Sequence, residues 1–388
     1  MKTYTKNYSQ DYSWKFWQLV PIYPYSQRKT LRQEILKDTI WTFDQLQGVF
    51  YVIVPIRMTV IRLEKGGLLV YAPIAPTPEC LTLMKELVDK YGEVKYIILP
   101  TSSGLEHKVF VAPFARKFPS AQVFITPNQW SFPINLPLSW LGLPRKRTFL
   151  LPKDSKNTPF FDEFDYKILG PINLNLGQFE EVAFFHKKSR TLLLTDSILS
   201  IPEDPPPIIE LDLYALLFHS KENTFDIIEN NWYNRRKGWQ RIVLFTLYFK
   251  PNMLRIAKWK KVFLDAPKAP DTSRKAFFGL YPFCWQENWQ DSFKKLRQEG
   301  KLIVAPILQR LILNRNSKAT LNWVYEVSKW NFDTIIPCHF DAPIKANSYD
   351  FRIAFTFFEK DLFPEEDLQL LNQINQGLKK LGILPPIK

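Results

Sequence analysis

The apolar positions of this chain fall into short runs closed by turn residues, the pattern of strands interleaved with short helices. An aromatic, basic arm opens it (Trp14-Lys15-Phe16-Trp17, then Pro21, Tyr23, Pro24 and Tyr25), and a short helix is expected over residues 28–37. Strands are expected over 48–55 and 58–63, with Lys65-Gly66-Gly67 as a hairpin turn into Leu68–Tyr71. Thr77-Pro78-Glu79 then starts a helix through about residue 91: Thr caps it, Pro takes its first position, and Leu81, Met84, Leu87 and Val88 share one face. The apolar run Val94–Leu99 is the next strand, 107–118 has helical spacing, and 122–126 is a short strand. A connection rich in Pro and Trp follows (Trp130, Pro133, Pro137, Trp140, Pro144). Residues 164–169, 182–186 and 191–195 read as strands, the last two an antiparallel pair turning at Lys187-Lys188-Ser189-Arg190.

At a cluster of prolines (Pro202, Pro205, Pro206, Pro207) the pattern changes, and 202–321 reads as a mainly helical, irregular insertion. A helix over 322–329 precedes a last core strand, Thr334–Pro337, which runs into Cys338-His339. The tail 364–381 is amphipathic, with Leu368, Leu370, Leu371, Ile374 and Leu378 at helical spacing. No repeat of solenoid length is found. The expected organisation is an arm over 1–44, a main α/β domain over 45–345 containing the insertion, and a helical tail over 346–388.

Composition narrows this picture. Hydrophobic content of 46% places the chain among globular proteins, and 30 Pro against 13 Gly predicts rigid loops. The net charge of +14 favours anionic partners, either a small molecule or an acidic membrane surface, with nucleic acid a weaker expectation. Three scattered cysteines, Cys80, Cys284 and Cys338, make neither a disulfide framework nor a zinc knuckle and suit a reducing compartment. No apolar run approaches the roughly 18 residues of a membrane span, and Met1 to Asp11 lacks the layout of a secretory leader. A cytoplasmic location is expected.

Chemistry concentrates where strands end. Glu106 and His107 follow the strand Val94–Leu99, Asp196 follows the strand at 191–195, and His339 follows Thr334–Pro337. In an α/β sheet such ends gather on one edge, where sites form. Two carboxylates with two imidazoles suit a single divalent ion, and Glu106 and Asp196 are the candidate catalytic carboxylates. Buried carboxylates facing one another need a cation nearby. A metal would serve, and so would protonated His107 or His339, or Lys108. His186 and His219 read as structural, and Cys338 as a buried neutral thiol. Phosphate-binding glycine loops are absent.

These residues resemble the metallo-β-lactamase fold superfamily, which carries a Thr-His-x-His-x-Asp-His loop, a later His, an Asp ending a Leu/Phe-rich strand, and a final His after a Pro. Thr101 matches the Thr, Glu106 stands for the Asp and His107 for the last His of the loop. Leu192-Leu193-Leu194-Thr195-Asp196 matches the Asp strand, and Ile335-Ile336-Pro337-Cys338-His339 the terminal His. In detail the chain looks most like the DUF4336 family of cyanobacteria and plastids. Ser103-Gly104-Leu105-Glu106-His107-Lys108, Pro127-Asn128-Gln129-Trp130-Ser131 and residues 191–197 carry that likeness.

The resemblance implies an αββα sandwich over about 45–345. The departures matter as much as the matches. Ser102 and Gly104 occupy the positions of the first two His, and no His lies between 108 and 185 to supply the third. The superfamily's first metal site is therefore missing. Glu106, His107, Asp196 and His339 correspond to the second, which implies one divalent ion: Zn, Fe or Mn.

Two classes of function remain open: a degenerate, metal-dependent hydrolase-like protein acting on an anionic substrate, and a non-catalytic binding or assembly protein. The family's distribution would place the latter in a photosynthetic cell, peripheral to a membrane such as the thylakoid. Its surface would be the basic aromatic insertion. There Lys250, Arg255, Lys258, Lys260, Lys261, Arg274 and Lys275 alternate with Phe249, Trp259, Phe263, Phe277 and Phe278. The same composition also suits a helical cap whose aromatics fill its own core.

Overall fold

The computed structural model describes residues 11–16, 18, 22–103, 106–131, 135–175 and 177–385. Trp17, Pro21, Gly104, Leu105 and Pro133, named above, lie outside the described residues.

Local pattern becomes strand where both faces can be covered. β1 (Leu31–Leu36), β2 (Ile40–Val49), β3 (Val52–Arg62), β4 (Leu68–Tyr71), β5 (Val94–Leu99), β6 (Gln122–Ile125) and β7 (Thr148–Leu150) form one sheet in that order. Its first three junctions are antiparallel and its last three parallel. β8 (Phe164–Asn173), β9 (Gln178–His186), β10 (Thr191–Leu194), β13 (Thr334–Pro337) and β14 (Ile344–Lys345) form a second, ordered β14-β13-β10-β9-β8. β11 (Leu254–Ile256) and β12 (Phe283–Trp285) make a small ribbon inside the insertion.

Three apolar layers set the architecture. Ile61, Leu69, Tyr71 and Ile98 of the first sheet meet Phe164, Phe184, Leu193 and Ile336 of the second. Outside the first sheet, Met58, Val70 and Ile97 are covered by α1 (Pro78–Tyr91) through Cys80, Met84 and Leu87, and by α2 (Lys108–Lys117) through Phe110 and Phe114. Outside the second sheet, Phe185, Leu192 and Ile335 pack with α3 (Trp232–Tyr248) and α5 (Ser317–Val327) through Trp239, Ile242, Trp323 and Val324. Between those two helices in the chain lies the short α4 (Trp259–Asp265), and α6 (Glu365–Lys380) closes the chain. The result is helix, sheet, sheet, helix: an αββα sandwich.

Three expectations change. The helix expected over 28–37 is instead the strand β1, paired Leu31 to Asp44 along β2. Its residues favour helix in isolation, but the open edge of β2 offers a hydrogen-bonded ladder, and tertiary context overrides propensity. β1 and β2 thus run in one sheet across the expected boundary at residue 44. The strand break expected near 56 is absent as well: the hairpin turns at Phe50 and Tyr51, which both have positive φ (52° and 61°). Such turns prefer Asn-Gly. Here Tyr51 is held by ring contacts with Tyr23, Tyr214, Phe218 and Phe277, and its hydroxyl donates to the Lys275 carbonyl at 2.9 Å. Finally, the helix expected from 322 begins at Ser317, with the Asn316 side chain accepting from the Ala319 amide.

Candidate metal centre

The site is built where the two sheets are stitched together. β5 ends at Leu99, and the chain crosses directly to β9: the Val182 amide donates to Pro100 O (2.8 Å) and the Ser102 amide to Glu180 O (3.1 Å). The Ser102 hydroxyl donates to Gln178 O (2.7 Å) and accepts from the Glu180 amide (2.8 Å). Ser102, at a position where the superfamily has a His, is thus a structural splice.

Glu106 and His107 come next, at the start of α2. His107 is buried; its Nδ1 lies 3.2 Å from Pro73 O, which assigns the proton to that nitrogen, and its Nε2 is buried without a partner. Burial lowers its pKa, partly opposed by the charge of Glu106. His339 follows β13, and its Nδ1 donates to Pro55 O at 2.9 Å. Its Nε2 is thereby turned to Glu106 Oε2 (2.9 Å) and Asp196 Oδ1 (3.1 Å). A backbone carbonyl on one ring nitrogen with the other aimed into the site is the arrangement that orients metal-binding imidazoles.

Burial alone would lower the His339 pKa, but the charge of Glu106 and the hydrogen bonds His339 donates to both carboxylates drive it well above the ordinary value. Conversely, burial would raise Glu106, and the charge and hydrogen bond of His339 bring it below the ordinary carboxylate range. The His339 ring thus lies between the two carboxylates, and of the four cation sources expected from sequence it is the one the geometry brings to both of them. Lys108 instead hydrogen-bonds to Trp130 O, and burial holds its pKa down to about 8.

Supporting groups hold the ligand-bearing loops. Glu181, fully buried, accepts from the amides of Thr195 (2.8 Å) and Ser197 (2.9 Å) and from the Ser197 hydroxyl (2.9 Å), which fixes the turn carrying Asp196. Burial first, then the charge of Asp196, raise the Glu181 pKa to about 7 despite those bonds. Arg57 on β3 clamps the His339 turn by donating to Pro337 O (2.8 Å) and Phe340 O (3.0 Å). The same guanidinium makes a bidentate pair with Asp44 (2.8 and 3.1 Å). Sequence reading missed Glu181, Arg57 and Asp44. The available signal was two consecutive carboxylates inside the apolar strand β9.

Glu106, Asp196 and His339 therefore meet, each offering a ligand atom within 4.8 Å of the others, and no further group of this kind is found among the described residues. His107 stands beside this trio rather than in it. Side-chain exposures of 28% for Glu106, 17% for Asp196 and 11% for His339 leave the trio reachable by water. The donor set fits one divalent ion. Ligands at about 2.0–2.2 Å from such an ion are separated by little more than the present hydrogen-bond distances, so losing the His339 proton frees the donors with little rearrangement. The orphaned Nε2 of His107 is the further unfilled valence a cation would satisfy. Cys338 is buried with its thiol pKa pushed well above the ordinary value, chiefly by burial, as a neutral core thiol should be. His186 (Nδ1 to the Ser189 hydroxyl, 2.7 Å) and His219 (Nε2 to Phe50 O, 3.2 Å) are structural, each with pKa lowered to about 4 by burial.

Two packed sheets with helices on both outer faces form a metallo-β-lactamase-like αββα fold, with acid and imidazole groups at strand ends on its seam. The chain matches the family described as Domain of unknown function (DUF4336) over residues 37–357, and it belongs to that family. No curated protein matches it. Among solved structures, the flavodiiron protein from Giardia intestinalis is 10% identical, with 86% of this chain and 60% of that chain covered and a TM-score of 0.43. The mono-zinc form of the metallo-β-lactamase FIM-1 from Pseudomonas aeruginosa is 9% identical, covering 86% and 97%, with a TM-score of 0.39. The metallo-β-lactamase from Pontibacter korlensis is 14% identical, covering 45% and 76%, with a TM-score of 0.33. This chain spans about three fifths of the length of the flavodiiron protein. These likenesses are slight, and the αββα assignment stands on strand order and layering.

Proposed function

We propose that this protein is a hydrolase-like enzyme using one divalent ion, Zn, Fe or Mn, held by Glu106, Asp196 and His339 with His107 as a fourth ligand. The observation that carries the reading is the convergence of the three donor atoms within 4.8 Å from three separate strand ends, beside a buried imidazole nitrogen that has no partner. An ion held there supplies Lewis-acid polarisation of a substrate oxygen and lowers the pKa of water. The chain's own residues do the rest. Pro55 O and Pro73 O hold the two imidazole tautomers, Glu181 and Arg57 hold the turns, and Glu106, the most exposed of the trio, is placed to accept a proton. The charge of +14 supports an anionic substrate.

The test is elemental analysis of protein purified without chelator, beside His107→Ala and His339→Ala. The reading expects about one equivalent of a divalent metal, lost from both variants while circular dichroism shows the fold retained. Wild type that stays empty after reconstitution refutes it.

A further inference from the structure

We propose that the face built from α4 and the turn at residues 274–278 docks onto an anionic lipid surface. On α4, Trp259 and Phe263 stand one turn apart with rings 5.9 Å from each other, and both are more than half exposed, as is Leu264. Val262, in the same helix, is buried and anchors it. Phe278 adds a ring exposed by 63%. It is adjacent in space, because a Cβ on the next residue, Gly279, would lie 2.2 Å from the Ala266 carbonyl, just past the end of α4.

The apolar groups are not remnants of a core. Phe277 and Phe278 both adopt left-handed backbone (φ 51° and 57°), a conformation aromatic residues seldom take. The consequence differs for the two rings: Phe277 packs inward on Tyr51 and Phe218, and Phe278 points to solvent.

Charge supplies the complementarity. Residues 255–278 contain seven Lys and Arg against two Asp, a local surplus of +5 out of the chain's +14. Lys258, Lys260, Lys268 and Arg274 are exposed and interleaved with the apolar side chains. Aromatic and aliphatic groups entering the headgroup boundary, with cations at the level of lipid phosphates, is how a peripheral protein binds acidic bilayers. A nucleic acid would use the cations and the aromatic faces, but it offers nothing to Leu264, which cannot stack. No described helix is long and apolar enough to cross a membrane, so contact of this kind would be at the surface.

The experiment is cosedimentation of the full chain with vesicles of phosphatidylcholine alone and of phosphatidylcholine with phosphatidylserine, over a range of salt. Binding is expected only to the mixed vesicles, weakening as salt rises. Lys258→Gln, Lys260→Gln and Arg274→Gln together should weaken it roughly fivefold per cation removed. Trp259→Ala with Phe263→Ala should weaken binding with less change in its salt dependence. All these side chains are on the surface, and the metal content of the variants should match wild type, which separates this proposal from the metal centre. No binding to the mixed vesicles overturns it. So does equal binding to both compositions, or tighter binding to a single-stranded oligonucleotide at equal phosphate concentration.

Discussion

Arg57→Met tests how the metal centre is held without touching any candidate ligand. Arg57 and Asp44 are a bidentate pair with only 4% of each side chain exposed, and the same guanidinium donates to Pro337 O and Phe340 O on either side of Cys338-His339. Removing the cation strands a buried carboxylate, which typically costs about 3–5 kcal/mol. The orphaned carbonyls together add about 1–3 kcal/mol where water cannot reach them. Protonation limits the first cost: burial already raises the Asp44 pKa even against Arg57, and losing the guanidinium raises it further. A net loss of about 3–5 kcal/mol is expected, a large fraction of an ordinary domain's stability. Urea unfolding of metal-free protein measures it. The double variant Asp44→Leu with Arg57→Met removes the carboxylate problem but not the carbonyls, so it should recover part of the loss and settle about 1–3 kcal/mol below wild type. Metal occupancy should fall in both, because the turn carrying His339 has lost its clamp. A single variant costing less than about 1 kcal/mol, or a double variant no better than the single, would refute the reasoning.

Titration gives two further expectations. His339 has its folded pKa raised well above 6.5, so its stabilising contribution in metal-free protein is complete below that value and is lost as pH rises through the folded pKa. His339→Asn should abolish this decline in urea midpoints measured upward from about pH 6.5. Glu181, raised from 4.5 to about 7, is more protonated folded than unfolded between those values, so it lowers stability as pH climbs through that window. The full effect corresponds to about 3 kcal/mol, and Glu181→Gln should flatten the profile there. Ser102→Ala should cost about 1–2 kcal/mol by breaking two bonds across the sheet seam, while metal content is unchanged; loss of metal would show that Ser102 belongs to the centre.

Much of this protein is legible locally. The apolar runs of β4, β5, β10 and β13, the Thr77 cap of α1 and the Lys65-Gly66-Gly67 turn follow from the side chains' own periodicity and turn chemistry. The strand-end residues Glu106, Asp196 and His339 are legible for the same reason: a buried strand must end somewhere, and polar groups at its end stand out. Local pattern fails where a distant partner decides. β1 looks helical until β2 gives it a ladder. Phe50 and Tyr51 look unfit for their turn until aromatics from the insertion hold Tyr51.

The same holds inside the centre. His339 meets Asp196 across 143 residues of sequence and Pro55 across 284, while His107, next to Glu106 in the chain, is set by Pro73 O to one side of the trio. Periodicity reports which residues reach a strand's end. Only the packing of two sheets decides which of those ends face each other, because the hydrogen bonds that orient each ring come from backbone the sequence places far away.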